Sequence, residues 1–146
     1  MGESQGFVGL GTLLKIGNGQ SPEQFNSVLE VKDINGPNRS MEFAEFTHQQ
    51  STGFYREYKP TFKTSGDITF KCNFVPGDST QDGVAAGLTY DYENRILRNF
   101  QLVFPSSPAK TFSFHAYVSQ LGVTAPMANP TELNVTLRVT GPVTEL

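Results

Sequence analysis

From Asp67 to Phe74 the apolar residues Ile68, Phe70, Cys72 and Phe74 alternate with the polar residues Asp67, Thr69, Lys71 and Asn73. This period of two is the pattern of a strand with one buried and one wet face. Pro76 and Gly77 end it. Ser79 then precedes Asp82 in a Ser-x-x-Asp arrangement that suits the first turn of a helix. Val84, Leu88 and Tyr92 follow at i, i+4 and i+8 beside Ala85 and Ala86. That spacing predicts a short helix laying one narrow apolar stripe on the sheet.

Other runs carry the strand pattern. Val28, Leu29, Val31 and Ile34 predict a strand over 27–34, and Asn35-Gly36 predicts a hairpin turn into a partner over 40–47. Met41 and Phe43 are expected to face inward there, with Glu42 and Ala44 outward. Asn99 to Phe104, Thr111 to Ser119 and Glu132 to Thr140 alternate in the same way. Two stretches do not. Residues 1–22 are rich in Gly and polar residues around the patch Leu13-Leu14-Lys15-Ile16, and are expected to form a flexible N-terminal arm. Residues 48–66 hold Phe54, Tyr55, Tyr58 and Phe62 among Arg56, Lys59 and Lys63 without a steady period, with Pro60 interrupting any strand. A connection of that length with aromatics beside Arg is expected to be a contact loop. The sum is a mainly β, antiparallel sandwich or barrel of six or seven strands with one flanking α-helix.

At 146 residues the chain suits a single domain spanning residues 1–146. Fourteen Gly, nine Pro and twelve Phe favour turns and short strands. A net charge of -3 argues against a general electrostatic grip on nucleic acid. The single Cys72 excludes an intramolecular disulfide and suits a reducing compartment. No run approaches the ~18 apolar residues of a membrane span, so no membrane partner is expected. The opening residues lack the pattern of a secretory signal.

Chemistry is sparse. His48 and His115 fit no metal-ligand spacing, and no nucleophile elbow, P-loop or dinucleotide fingerprint is present. Asp78, Asp82, Asp91 and Glu93 fit no calcium loop. No catalytic residue, metal or cofactor is therefore expected. Two alternatives stay open: a carbohydrate-binding or small-ligand module using Tyr55 and Tyr58 as sugar platforms, and a small hydrolase or isomerase with His115 as base.

Several pieces in order carry a resemblance. They are Gly9 to Lys15 with Gly17-Asn18-Gly19, Val31 to Ile34 leading into Gly36-Pro37, Glu42 to Thr47, Gly66 to Phe70 with Asn73-Phe74, and Phe112 to Val118. Together they resemble the bacteriophage tail tube proteins of long non-contractile tails, from about Gly9 to Gly141. The resemblance implies a β-sandwich or barrel with one helix, an architecture shared with the type VI secretion tube protein. It further implies a structural virion protein whose hexameric rings self-assemble into a hollow tube for genome ejection. The implied partners are further copies, the tape measure protein, the tail tip or baseplate, and the tail terminator. DNA would pass through the lumen without specific binding, and assembly would take place in the host cytoplasm. Some relatives carry an extra immunoglobulin-like domain, which is not expected here. An acidic or neutral lumen is implied, with Glu30, Glu42 and Asp67 as candidates for its wall. Leu13, Leu14, Phe54, Tyr55, Arg56, Tyr58 and Phe62 are the candidates for contacts between rings.

Overall fold

The computed structural model describes residues 2–83 and 87–146. Their strands are β1 (Leu13–Gly17), β2 (Phe25–Ser27), β3 (Val31–Asn35), β4 (Ser40–Glu45), β5 (Tyr58–Thr64), β6 (Asp67–Asn73), β7 (Arg98–Phe104), β8 (Lys110–Thr124) and β9 (Glu132–Glu145). The helix α1 spans Leu88–Glu93. Seven strands form one antiparallel sheet in the order β2-β1-β7-β8-β9-β6-β3, while β4 and β5 pair only with each other.

The two edge strands of the large sheet, β2 and β3, are consecutive in the chain. Seven flat strands would span roughly 29 Å at ~4.8 Å per spacing. The three residues between Ser27 and Val31 reach at most about 15 Å. The sheet therefore curls until its edges nearly meet, and the 28–30 crossing bridges them. Val28 N donates to Leu14 O on one side (2.8 Å), and Asn73 N donates to Glu30 O on the other (3.1 Å). Gln81, itself buried, secures the crossing: its Nε2 donates to Leu29 O and Asn73 O, and its Oε1 accepts from Val75 N.

The inward faces fill this barrel as their alternation requires. Ile68, Phe70 and Cys72 of β6 meet Leu133, Val135 and Leu137 of β9, with Phe100, Leu102, Phe114 and Ala116 completing the core. Phe100 and Phe114 stack at 5.8 Å between ring centroids. Burial, with Asp78 and Glu30 nearby, pushes the Cys72 thiol up to about 11, so it packs as a neutral apolar group.

Several expectations are corrected. The arm over 1–22 contains β1, because Leu14 and Ile16 alternate with Lys15 and face the core. The strand expected over 27–34 is broken by the crossing, where Glu30 adopts a φ of 53°. No β3–β4 hairpin forms: β3 pairs with β6, and β4 pairs with β5 from the supposed contact loop. Met41 and Phe43 are consequently exposed. Pro60 sits beside a register shift opposite Phe43, where a missing ladder donor is tolerated. The helix begins at Leu88 after Gly87, with no side-chain cap. Ser79 does not cap it; Asp78 Oδ2 instead accepts from Thr80 N at 3.0 Å in the preceding turn. Leu88 is buried and Tyr92 is exposed, while Val84, Ala85 and Ala86 of the expected stripe lie outside the described residues.

Two glycines set where β4 and β5 leave the barrel. A Cβ on Gly36 would lie 2.6 Å from Asp67 O, and one on Gly66 would overlap Asn38 O. Both residues also hold positive φ. Gly66→Ala should therefore cost about 1–3 kcal/mol, read as a lower midpoint in urea unfolding with an unchanged slope. A midpoint equal to the unaltered protein's would show that the chain relaxes freely there.

Candidate assembly surfaces

The β4–β5 hairpin stands off the barrel as an arm. Every residue of β5 is exposed and, on β4, all but Ala44. The 3-10 turn at Thr52–Phe54 lies between the two strands and carries Gly53 at φ 64°. It presents Phe54, 90% exposed, with Tyr55 beside it. Buried Ser51 orders this tip: its hydroxyl accepts from His48 N and donates to Glu57 Oε2. His48 Nε2 lies 3.3 Å from the same carboxylate oxygen. Ser, His and Glu are the parts of a hydrolytic triad, but here the hydroxyl proton goes directly to the carboxylate. The imidazole therefore does not serve as base for the serine, and the cluster staples the hairpin.

Along the arm Lys59 Nζ lies 4.9 Å from the centre of the Phe46 ring, and Arg56 pairs with exposed Glu45 at 3.6 Å. At its root Arg39 lies over Phe112 and within 3.5 Å of Glu145, tying the arm to β8 and β9. Such exposed pairs orient more than they stabilise.

The outer face of β3, β6, β9 and β8 is polar. Thr69, Lys71, Asn134, Thr136 and Gln120 line a shallow depression of about 430 Å³ there. Its charges are largely matched. Arg138 Nε lies 2.6 Å from Asp67 Oδ1, a charge contact rather than an aligned hydrogen bond, and Lys32 pairs with Glu132 at 3.6 Å.

The expected site residues are thus distributed rather than gathered. Glu30 sits in the barrel crossing and accepts from Asn73 Nδ2 at 3.2 Å; Glu42 belongs to the arm; Asp67 lies on the polar outer face. Phe54, Tyr55, Arg56, Tyr58 and Phe62 all belong to the arm, and Leu13 is exposed on β1. Leu14 is only 1% exposed. It is a core residue and not a contact residue, because the alternation within Leu13–Gly17 points it inward. Met41, Phe43 and Phe46 are arm residues that sequence reasoning missed: alternation alone assigns Met41 and Phe43 to a core and leaves Phe46 on the opposite face. The signal for them lay in the cationic neighbours of the 48–66 stretch. His115 lies on β8 opposite Asn99 and Thr140. Among the described residues its imidazole has no acidic partner, and no group of three or more His, Cys, Asp or Glu is placed to hold a metal ion. No described helix is long and apolar enough to cross a membrane.

A family model described as lambda phage tail tube protein matches residues 9–144. Among solved structures, the chain is similar to one from the virion of a native gene transfer agent particle. That match has a TM-score of 0.73 and 12% identity, over 97% of this chain and 99% of the other. A chain from the tail of an empty gene transfer agent particle, refined with C6 symmetry, gives a TM-score of 0.73 at 12% identity over 95% and 98%. The SPP1 tail tube gives 0.68 at 13% identity over 97% of this chain and 78% of the other. At these identities the shared property is the fold. No curated protein sequence matches the chain.

Proposed function

Since the chain belongs to the lambda phage tail tube protein family, we propose that six copies close into a ring and that rings stack into the conduit through which phage DNA leaves. The role is structural. One observation supports the assembly reading above the others: an arm of aromatic residues stands in solvent, paired only with itself. A monomer that stayed a monomer would gain nothing from holding it there, because a two-stranded hairpin is marginal alone and its rings are exposed to water. The six-fold count is supported by the C6 symmetry of the similar gene transfer agent tail. Cyclic closure within a ring and head-to-tail stacking between rings are the two contact types such an object needs.

The arm residues Phe54, Tyr55, Arg56, Tyr58 and Phe62, together with Leu13, make the contacts between rings. The polar face of β3, β6, β9 and β8 lines the lumen, where Asp67 is held by Arg138 and Lys32 by Glu132. Internally matched charge gives DNA phosphates little to hold. Glu30 sits at the margin of that wall, and Glu42, being on the arm, belongs to the stacking contact. The tape measure protein, the tail tip or baseplate and the terminator are the further partners, met in the virion tail after assembly in the host cytoplasm.

Negative-stain imaging of the purified protein at rising concentration tests this reading. Six-fold rings or tubes are expected. A species that sediments as a monomer at millimolar concentration and stays one would overturn it.

A further inference from the structure

A hairpin lying on one surface needs apolar residues on one side only, with polar residues facing water. This arm has them on both. The register places Met41 with Lys63, Phe43 with Pro60 and Glu45 with Tyr58 on one face. Ala44 pairs with Lys59 on the opposite face. Phe46 joins that second face beneath Lys59, and alternation from Lys63 adds Phe62. Phe43 is 60% and Phe62 77% exposed, so neither face is covered by its own subunit.

We infer that each arm is wedged between two other copies of this chain, one against each face, a step that rests on the tube reading. Covering one side would leave aromatic rings in water on the other, and a single Phe offers about 150–250 Å² to bury. A cleft lies beside each face at the root of the arm, the two meeting at Lys63, Thr64, Ser65 and Pro142. One, of about 360 Å³, runs along Met41, Lys63, Pro142 and Val143; the other, of about 460 Å³, runs along Phe62, Val139, Gly141 and Pro142. A segment of a neighbouring copy laid on either face therefore meets a ready floor. The charges of the arm favour protein over lipid as occupant: Glu42, Glu45 and Glu57 cancel Arg56, Lys59 and Lys63, leaving no net pull toward an anionic membrane.

Two double variants separate the faces, Met41→Ser with Phe43→Ser and Phe46→Ser with Phe62→Ser. All four side chains are exposed in the subunit, so the thermal midpoint should stay near that of the unaltered protein. Each pair should lower the pelletable tube fraction at least tenfold at a concentration where the unaltered protein polymerises. If either pair polymerises within twofold of the unaltered protein, the arm has one working face and the inference fails. A variant without the arm tells this apart from failure of the parent reading. Tubes made without the arm, or an unaltered protein that never polymerises, overturn both; an arm-less protein that cannot polymerise beside a competent one-face variant overturns the inference alone. Flotation of the unaltered protein with phosphatidylserine vesicles would assign the arm to a membrane and likewise overturn it.

Discussion

Asp91→Ala lowers the stability of the subunit by about 3–5 kcal/mol, the cost of leaving one member of a buried ion pair alone. Asp91 Oδ1 accepts from Arg98 Nη2 at 2.6 Å and Oδ2 from Arg98 Nε at 3.0 Å, a two-point grip from α1 onto β7. The side chains are 0% and 8% exposed respectively. The Asp91 hydrogen bonds raise the Arg98 pKa above its ordinary value against the opposing effect of burial, and the charge of Glu23 adds to the rise. The guanidinium stays charged when its partner is removed. Glu23 is the remaining acid close enough to soften the loss, which places the outcome toward the lower end of the range. Against a typical domain stability of about 5–15 kcal/mol the effect is large. At a few degrees per kcal/mol it lowers the midpoint of thermal unfolding by roughly 6–20 °C. Asp91→Asn should fall between, keeping a hydrogen bond but not the charge. Replacing both partners, as Asp91→Leu with Arg98→Met, should recover much of the loss, because the cost lies in the orphaned charge. A calorimetric midpoint for Asp91→Ala within 2 °C of the unaltered protein would refute the account.

Replacing residues 42–62 by a short Gly–Ser link between Met41 and Lys63 leaves the subunit folded and abolishes tubes. Met41 and Lys63 are already cross-strand partners, so the link closes a gap that the ladder defines. Nothing from 42–62 enters the core. The thermal midpoint should shift by no more than a few degrees, as for surface changes away from buried features. Assembly, in contrast, loses at one stroke the aromatics proposed for stacking, and a head-to-tail contact repeated at every ring would magnify the deficit along the filament. Circular dichroism matching the unaltered protein, together with a monomer or an unstacked ring in sedimentation, is the expected pair of results. Tubes of normal length in the micrographs would remove the arm from the stacking contact.

How much of this was legible in the residues varies by element. β6 and β9 were readable because Ile68, Phe70, Cys72 and Leu133, Val135, Leu137 alternate without interruption and both strands lie inside the sheet. The strand β8 continues past Ser119 to Thr124, but a register shift between Val118 and Gln120 breaks the alternation and hides the extension. β1 is hidden within the arm-like stretch, because five residues between glycine-rich segments give too few periods to judge. The β3–β4 hairpin failed for another reason. Asn35-Gly36 forms no tight turn: Asn35 stays in β3, and Gly36 packs against Asp67 and Ile68, which places β3 beside β6 and leaves the next strand to start at Ser40 outside the sheet. The exposure of Phe54, Tyr55, Tyr58 and Phe62 was legible, because aromatics beside Arg and Lys without a period are a composition signal that does not depend on the pairing.

Local alternation and turn residues together establish from the residues alone a mainly β chain of short strands. Which strands pair, and hence which apolar side chains remain uncovered, was decided only in three dimensions. Met41 and Phe43 have the same alternation as Ile68 and Phe70, yet one pair lies in water and the other in the core. Period reports that a strand has two faces, but only long-range pairing determines what each face meets.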